Sequence, residues 1–502
     1  MNKKALGIFM ALVLAVSAAA CTSGTADVSS TESLSEQTSS VVSESTDTSS
    51  DAEAAADSDS AEAVSYDYQR NEDGSISMSY GAILHAWCWS FNTITENLQS
   101  IKDAGYTSIQ TSPINECKVG EDGGMSLYSD NDGKWYYHYQ PTDYVIGNYQ
   151  LGTLEEFKTM CAEAKKLGLK IIVDVPLNHV SSDTSVVSEN IFNLCDEPFH
   201  NRGEIASYAS RKQLTQNDLL GLKDLNTQDP NIQQYELKYL KSCIDAGASG
   251  FRFDTAKHIE LPDDDDDYAS DFWSVVLDNG CEFQYGEVLQ GEETDRIAGY
   301  AEIMSVTASS YGNSIRSAIN GSPSVALIES YCASGVDESK FVTWVESHDN
   351  YCNDGTWAQI EESDVEYGWA IIAARSGGAP LFFSRPDGSS FDSQWGNNVI
   401  GAAGSDAYKS ENVSALNHFR NEMAGLGEKL TNPDVDNNVL MIERGDKGAV
   451  IINEGTSDFT LDGTVSVLSD GKYKDKVTEA EFTVANGTIS GTVPAGAIIV
   501  IY

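Results

Sequence analysis

Residues 250–258 read Gly-Phe-Arg-Phe-Asp-Thr-Ala-Lys-His, and this segment constrains the fold more than any other part of the chain. As a β-strand it places Phe251 and Phe253 on one face and Arg252 with Asp254 on the other, because side chains alternate along a strand. Burying two charged groups on an apolar strand costs free energy unless they are paired or used. A structural ion pair and a functional carboxylate are therefore both open interpretations of this segment taken alone.

Three further segments share this design, an apolar strand that runs out into ionisable residues; they are 171–179, 282–287 and 341–349. Asp254 and Glu287 are 33 positions apart, about one strand-plus-helix unit, and Glu287 and Asp349 are 62 apart, about two. Asp174, at the end of the first of the three, precedes Asp254 by 80 positions, which fits one unit that carries an insertion. Parallel strands that repeatedly end in carboxylates are typical of a (β/α)8 barrel, whose active site lies at the C-terminal ends of its strands. The predicted fold class is therefore α/β, a TIM barrel.

Apolar periodicity divides the folded part of the chain into two domains. Residues 79–425 are predicted as the barrel; besides the central strand, its strands are expected at 80–87, 106–110, 170–175, 281–285, 301–307, 341–345 and 380–384. The polar, aperiodic stretch 181–222 is predicted as an insertion after the third strand that forms one wall of a cleft. Residues 426–502 read as short strands separated by Gly, Asp and Asn turns, which predicts a C-terminal antiparallel β-sandwich.

Residues 1–20 read as a secretory signal peptide, with a positive start, a short apolar run and small residues at its end. The apolar run is too short for a comfortable membrane span. Cys21 follows directly, in a setting that looks like the cleavage box of bacterial lipoproteins, where the cysteine receives the lipid. Ala18 departs from that box, so ordinary cleavage after Ala20 with release of a free protein is the alternative. Either way the prediction is an exported bacterial protein, secreted or held at the cell surface.

Residues 21–78 are rich in Ser, Thr, Ala, Asp and Glu, and no Lys or Arg occurs between Lys4 and Arg70. A segment of this composition cannot bury enough apolar surface to fold, so we predict a disordered tether, with folded structure beginning near Ser79. The net charge of the whole chain is −46, which disfavours nucleic acid and anionic membrane surfaces as partners. It does not disfavour a neutral polysaccharide.

The four strand-end segments resemble, motif for motif and in order, the α-amylase family of glycoside hydrolases. Glycoside hydrolysis needs one acid at the leaving oxygen and one carboxylate on the other side of the sugar ring. The resemblance implies that Asp254 is the nucleophile that forms a covalent glycosyl-enzyme and that Glu287 is the general acid and then the base. It implies that Asp349 is a third carboxylate, which stabilises the transition state.

Further expectations concern the ionisation of this pair. Arg252, on the same strand face as Asp254, is expected to lower its pKa and keep it ionised. Glu287 is expected to hold a proton part of the time, which a like charge nearby would favour. If configuration is retained, the two carboxyl groups of Asp254 and Glu287 should lie about 5 to 5.5 Å apart.

The same resemblance assigns substrate contacts. Aromatic faces stack on the apolar face of a pyranose, and the loop 135–141 is dense in aromatic residues, although a packed loop anchor would look the same. The two histidines taken alone would more often be structural. By match to the family, the residues expected to contact sugar, with Lys257 on the leaving-group side, are Trp135, Tyr136, Tyr139, Gln140, His179, Arg252, Lys257 and His348.

A calcium site is also implied by the resemblance. Asn178 and Asp224 would supply side-chain oxygens and His258 a backbone carbonyl, and calcium takes hard oxygen ligands. The alternative for Asp224 is a helix cap. Ser347 stands where chloride-activated members carry an asparagine, which makes chloride dependence doubtful, although Arg385 matches another chloride-site position.

Eight cysteines besides Cys21 could form disulfides in an exported chain, but Cys88 and Cys281 lie in predicted barrel strands, where buried thiols are the alternative. No pairing can be assigned, and no spacing indicates a zinc site. The five aspartates 263–267 are read as a solvated loop in preference to a second cation site.

The resemblance implies a calcium-stabilised, endo-acting α-amylase that cuts internal α-1,4 bonds of starch and maltooligosaccharides with retention, and we expect a monomer. A member of the same family that acts on maltodextrins or branch points is one alternative. A non-catalytic surface starch-binding protein is another, but such a protein would be expected to lack a carboxylate, and Asp254, Glu287 and Asp349 are all present.

Overall fold

The computed structural model describes residues 66–120, 124–129, 134–265, 267–291 and 295–502. The sequence before residue 66 lies outside the described residues, and with it the predicted signal peptide, Cys21 and most of the predicted tether.

A closed parallel barrel organises the first domain. Its strands and the short hairpin strands between them are β1 Ile83–Ala86, β2 Ser108–Thr111, β3 Asn115–Cys117, β4 Pro141–Ile146, β5 Lys170–Val175, β6 His179–Val180, β7 Lys223–Asp224, β8 Gly250–Phe253, β9 Phe283–Gly286, β10 Ser305–Thr307, β11 Phe341–Trp344 and β12 Ala379–Phe383. Eight of these pair around the barrel in the order β1-β12-β11-β10-β9-β8-β5-β2. The predicted (β/α)8 fold is confirmed.

Helices surround the barrel. They are α1 Phe91–Asp103, α2 Leu154–Lys166, α3 Glu189–Phe192, α4 Arg211–Gln216, α5 Pro230–Asp245, α6 Phe272–Val276, α7 Ile297–Ile303, α8 Ser309–Ile319, α9 Val325–Ile328, α10 His348–Cys352, α11 Glu362–Ala374 and α12 Glu411–Glu422. Local sequence sets several of their starts. Ser90 caps α1 by accepting from the Thr93 amide, and Thr153 with Glu156 forms a capping box on α2.

The sixth barrel strand is shorter than predicted. We expected it at 301–307, but residues up to Ile303 belong to α7 and only Ser305–Thr307 form β10. Tyr300 and Ala301 are buried as part of the helix. A short apolar run fits either a strand or a buried helix end, so periodicity alone could not separate the two.

Folded structure also begins earlier than the predicted boundary at Ser79. Gln69 is fully buried, its side-chain amide donates to the Ser376 carbonyl (2.7 Å), and its Oε1 accepts from the Gly425 amide (2.6 Å). Met78 packs among inward-facing barrel residues. Residues 66–78 are therefore a folded strap, because these side chains find tertiary partners that composition does not reveal.

The C-terminal domain consists of two four-stranded antiparallel sheets. One has the order β13-β14-β15-β20 and the other β16-β19-β18-β17. Apolar side chains from both sheets form one buried cluster between them, as expected of a β-sandwich. The strands are β13 Glu428–Thr431, β14 Val439–Arg444, β15 Gly448–Asn453, β16 Phe459–Val465, β17 Gly471–Lys474, β18 Glu481–Ala485, β19 Thr488–Val493 and β20 Ile498–Ile501.

The aspartate run is only partly a solvated loop. The side chains of Asp263 and Asp267 are 70% and 63% exposed, but that of Asp264 is buried and pairs with Arg211 (2.8 Å) and Arg296 (2.7 Å). Two guanidinium groups around one carboxylate make Asp264 an anchor for the insertion that carries Arg211.

Within the part of the chain that the structure describes, no helix has the length and apolar character needed to cross a membrane. Seven described cysteines are free thiols, namely Cys88, Cys117, Cys161, Cys195, Cys243, Cys281 and Cys352. The buried thiol expected at Cys88 is confirmed, whereas Cys281 is half-buried just before β9.

Candidate active site

Four acidic side chains meet at the C-terminal ends of the barrel strands. Asp174 lies near the end of β5, Asp254 directly follows β8, and Glu287 directly follows β9. Asp349 lies in the first turn of α10, five residues beyond the end of β11. Because parallel strands end on one face of the barrel, residues far apart in sequence converge here.

Arg252 is the centre of this group. Its Nη1 donates to Asp174 (2.7 Å) and to Asp254 (2.8 Å), and its Nη2 pairs with Glu287 (2.8 Å). The second Glu287 oxygen accepts from the Thr255 amide at 2.9 Å. One nearly buried guanidinium thus fixes three carboxylates from three strands, which holds them in a defined mutual orientation.

Asp349 opens towards solvent. Its side chain is 32% exposed, accepts from the Asn353 side-chain Nδ2 (2.9 Å) and lies 3.4 Å from His348 Nε2. Ser347 caps α10 together with Asn350. The cap fixes the helix start and so the direction in which Asp349 points into the cleft.

Burial dominates the ionisation of this group. It raises the pKa of Asp254 well above its ordinary value; Arg252 opposes the rise, and the neighbouring carboxyl groups add to it. Arg252 lowers the pKa of Asp254 as expected, but burial and the neighbouring carboxyl groups outweigh that effect. Burial likewise raises the pKa of Asp174 to about 6, and burial with the charge of Glu287 raises that of Asp349 to about 8.

Four carboxyl groups around one guanidinium cannot all be ionised at low cost in a buried site. The histidines supply no compensating charge, because burial lowers the pKa of His179 to about 4 and that of His348 well below its ordinary value. The cluster as a whole therefore holds at least one proton near neutral pH, and this proton belongs to the group and not to a single residue.

An aromatic wall stands beside the carboxylates. The Tyr139 hydroxyl donates to Asp174 (2.8 Å), and its ring stacks on His348 with centroids 5.3 Å apart and planes 11° apart. Trp135 meets both rings edge-on, at 5.9 and 5.7 Å. Tyr136 lies edge-on to Trp135 at 5.7 Å and is half-buried. These rings are packed against each other, as the anchor interpretation of this loop predicts, and they lie beside the carboxylates; the sugar contact stays a prediction.

The remaining expected sugar contacts lie around the same mouth. His179 Nε2 is 3.0 Å from the Tyr139 carbonyl, and the Gln140 side chain accepts from the Ser181 hydroxyl (3.2 Å). Lys257 points across the cleft, where its Nζ donates to the Leu289 carbonyl and to Asp295, each at 3.0 Å. The structure brings all eight predicted contact residues to one end of the barrel.

The expected calcium ligands lie at the edge of this mouth, where β6 pairs with β7. His179 is opposite Asp224 in that pairing, and the Leu225 amide donates to the Asn178 carbonyl (3.0 Å). Asn178 Oδ1 is buried and has no hydrogen-bond partner among the described residues. Burial and the charge of Glu260 raise the pKa of Asp224 well above its ordinary value. An orphaned amide oxygen next to a buried carboxylate fits a hard cation.

His258 contributes differently from its neighbours. Its ring Nδ1 donates to the Leu214 carbonyl (2.8 Å), so the ring ties α4 to the end of β8 and leaves only a backbone carbonyl for a cation. Among the described residues, no three His, Cys, Asp or Glu side chains converge as a metal site. The expected set contains one such side chain, Asp224, and otherwise amide and carbonyl oxygens.

Comparison with known proteins agrees with this geometry. The family model described as "Alpha amylase, catalytic domain" matches residues 63–204, and that described as "Alpha amylase, C-terminal all-beta domain" matches residues 430–502. An α-amylase of Butyrivibrio fibrisolvens is 44% identical over 477 residues, which cover 86% of this chain and 48% of that protein. One of Clostridium acetobutylicum is 39% identical, over 84% of this chain and 54% of that protein. The chain belongs to the α-amylase family.

The chain spans about half the length of these two curated relatives. Among solved structures, α-amylase I of Eisenia fetida aligns with a TM-score of 0.69 at 18% identity, over 85% of this chain and 99% of that one. The γ-cyclodextrin glucanotransferase of alkalophilic Bacillus clarkii aligns with a TM-score of 0.65 at 19% identity, over 82% of this chain and 64% of that one. At these identities the likeness shows the fold.

Arg385, expected at a chloride-site position, is paired with a carboxylate within the chain. Arg385 makes two bonds to the Glu346 carboxylate, Nε to Oε1 at 2.5 Å and Nη2 to Oε2 at 2.9 Å, and both side chains are buried. A guanidinium held by a carboxylate in this fork has little residual charge to offer an anion.

Two functional candidates were missed by sequence reasoning. Asp174 was placed at a strand end but given no role, although its segment has the same design as that of Asp254. His200 lies in the aperiodic insertion and carries no motif, yet its Nδ1 is 2.6 Å from Asp224 Oδ2, one of the expected calcium ligands. Only the three-dimensional course of the insertion reveals the contact between His200 and Asp224.

Proposed function

We propose that this chain hydrolyses internal α-1,4-glucosidic bonds of starch and related α-glucans, with retention of configuration, through a covalent glycosyl-enzyme. The observation that carries the proposal is the convergence of Asp254, Glu287 and Asp349 around Arg252 at the mouth of the barrel. The names of the two bacterial relatives support it, and this chain spans about half the length of each.

In the first step, an Asp254 oxygen attacks C1 of the bound glucose and the bond from C1 to the glycosidic oxygen breaks. Glu287 gives its proton to that oxygen, so the leaving chain departs with a neutral hydroxyl. Arg252 contacts both residues, which favours the ionised form of the attacking carboxylate once the shared proton is on Glu287. The second step returns this proton to Glu287, so the reaction consumes none.

In the second step, Glu287 takes a proton from water, the resulting hydroxide attacks C1, and the bond to Asp254 breaks. Two inversions at C1 give net retention. Asp349 is placed to accept from sugar hydroxyls as positive charge develops at C1. Tyr139, His179 and His348, all uncharged at neutral pH, bind the same sugar through hydrogen bonds and ring contacts.

Calcium is part of the proposal. Asn178 and Asp224 would hold it with the His258 carbonyl, and a bound calcium supplies fixed positive charge that joins the insertion to the barrel. Within the chain itself, the β6–β7 pairing and the His200–Asp224 contact already bring these two segments together. Asn178 and His179 are adjacent, so the segment that would bind the cation also orients a sugar contact.

We further propose export of the chain by its N-terminal signal, with Cys21 as the site of lipid attachment when the chain is retained at the cell surface. The expected partners are starch and maltooligosaccharides, bound by a monomer. The strongly acidic surface is compatible with a neutral polysaccharide and unfavourable for anionic partners.

The decisive experiment incubates the purified protein with soluble starch and with maltoheptaose, and resolves products by size and anomeric form. Random internal cuts that release α-configured ends support the proposal. Release of a single short product would instead indicate an exo-acting member, and cleavage confined to branched substrates would indicate the branch-point alternative. Unaltered starch would contradict the proposed function.

A further inference from the structure

A pair of aromatic rings outside the expected sugar contacts lies at the same end of the barrel. Tyr128 belongs to the described segment 124–129, and Trp395 belongs to the loop that follows β12. Their centroids are 5.4 Å apart and their planes differ by 8°, a parallel stack. Trp395 is half-buried and Tyr128 is exposed, in a loop that is otherwise rich in Ser, Asp, Asn and Gly.

Hydrogen bonds to the backbone of the Tyr128 segment join it to the loop of Trp395, so the stack does not depend on ring contact alone. Asn398 accepts from the Tyr128 amide (2.8 Å) and donates to the Tyr128 carbonyl (2.9 Å), while the Ile400 amide donates to the Met125 carbonyl (2.6 Å). A site whose loops are already tied together loses little conformational freedom when a ligand binds.

The loop is also tied to the helix that carries Asp349. The Gln394 side chain donates to the Tyr351 and Cys352 carbonyls, at 3.4 and 3.2 Å, and the Tyr351 hydroxyl donates back to the Gln394 carbonyl (2.5 Å). The residue after Gln394 is Trp395, so its ring stands at a fixed place relative to α10 and the cleft.

Trp395 packs against the same buried cluster as the aromatic wall. Together with Tyr136 and Trp357 it packs against the cluster that contains Trp135 and Tyr139. In the barrel order, β12 and β1 lie across the mouth from β8 and β9, where Lys257 reaches towards Asp295. Trp395 is therefore on the side of Trp135 and away from the leaving-group side.

We propose that Trp395, backed by Tyr128, is a further glucose-stacking subsite on the donor side of the cleft. It would bind α-glucans long enough to extend beyond the sugar in contact with Tyr136. The inference rests on the proposed function. A half-buried indole at the end of an aromatic wall presents an apolar surface that the C–H face of a pyranose matches. The ring selects for chain length and takes no part in bond cleavage.

The test compares kcat/KM on maltotriose with kcat/KM on maltoheptaose for the unmodified chain, Trp395→Ala, Trp395→Phe and Phe391→Ala. Phe391 is 44% exposed in the same loop and serves as the matched control. In Trp395→Ala the ratio of maltoheptaose to maltotriose should fall about five- to tenfold, which corresponds to the loss of one stacking contact. Trp395→Phe should recover most of the ratio, and Phe391→Ala should leave it unchanged.

An unchanged ratio in Trp395→Ala, with hydrolysis of starch intact, would overturn this inference and leave the proposed function standing. Maltoheptaose binding is measured in parallel by calorimetry in the Asp254→Asn background, where weaker binding on loss of the indole is again expected. If the unmodified chain cleaves no α-glucan, the proposed function fails, and the calorimetric comparison alone decides whether Trp395 binds a glucan.

Discussion

Buried charge occurs at both ends of the barrel, and the two ends handle it differently. At the mouth, Arg252 is shared by Asp174, Asp254 and Glu287, with Asp349 nearby, so negative charge exceeds positive charge. At the junction with the C-terminal domain, Arg420 and Arg444 are fully buried among neutral acceptors. The first arrangement leaves charge uncompensated and the second satisfies it.

The junction uses the end of a helix as its counter-charge. Arg444 donates to the Ala374 and Arg375 carbonyls (both 3.1 Å), and Arg420 donates to the Ala373 and Arg375 carbonyls (3.1 and 2.8 Å), at the C-terminus of α11. A helix C-terminus carries partial negative charge and unpaired carbonyls, which suits buried guanidinium groups. A buried charge whose hydrogen bonds are all made stabilises the fold. A buried group of carboxylates with too little positive charge keeps a proton that can take part in a reaction.

The largest expected effect comes from removing charge at the mouth. Asp254→Asn should lower kcat/KM on starch by on the order of 10⁴-fold, because the attacking carboxylate is lost. Its melting temperature should stay the same or rise, since one of several crowded carboxyl groups becomes neutral. Reducing-sugar release and thermal unfolding measure the two effects, with exposed Asp278→Asn as the control. Turnover within tenfold of the unmodified chain would refute the assigned nucleophile.

The opposite pattern is expected at the junction. Arg444→Met should lower the free energy of unfolding by about 3 kcal/mol, because buried carbonyls lose their donors. The specific activity of the folded protein should be retained. Chemical unfolding and activity at 25 °C are the measurements, and Lys447→Met, which removes a 62% exposed cation in the same hairpin, should change little. Equal destabilisation by both variants would remove the contrast between the two ends.

Calcium removal should produce an intermediate effect. At a calcium concentration of 100 times Kd, chelation should cost about 2.7 kcal/mol of unfolding free energy. Asn178→Leu should be nearly insensitive to chelator, whereas Asp267→Asn, a change at an exposed aspartate, should respond like the unmodified chain. Thermal unfolding with and without chelator tests this. A chelator response in Asn178→Leu as large as in the unmodified chain would exclude Asn178 as a ligand.

The smallest expected effect is a pH slope. The folded pKa values of Asp349 and Asp174, about 8 and about 6, exceed the values of about 3.9 expected in an unfolded chain. Between these limits the folded state binds more protons, so these groups make stability fall as pH rises. Asp349→Asn should flatten the decline in melting temperature between pH 5 and pH 9, measured at constant ionic strength. Parallel curves for both proteins would mean that Asp349 titrates normally.

Sequence reasoning succeeded where the signal was local. The strand at Lys170–Val175 was predicted with its observed bounds, and the order of strand-end carboxylates indicated the barrel. It failed where the signal was tertiary. Tyr128 and Asn398 are 270 positions apart, and nothing in either segment predicts that one clamps the other. The net direction of the Asp254 pKa shift also needed the structure, because burial outweighs an adjacent arginine only once all the neighbouring acids are in place.

The strap of residues 66–78 has a geometric consequence. Tyr68 and Gln69 bond to the Ser376 carbonyl, between α11 and the start of β12, at the end of the barrel remote from the carboxylates. Any attachment upstream of Tyr66 therefore joins the folded domain at the end of the barrel opposite the carboxylates. The mouth of the barrel, on the opposite side, stays clear of this junction and is open to a bulky polymer.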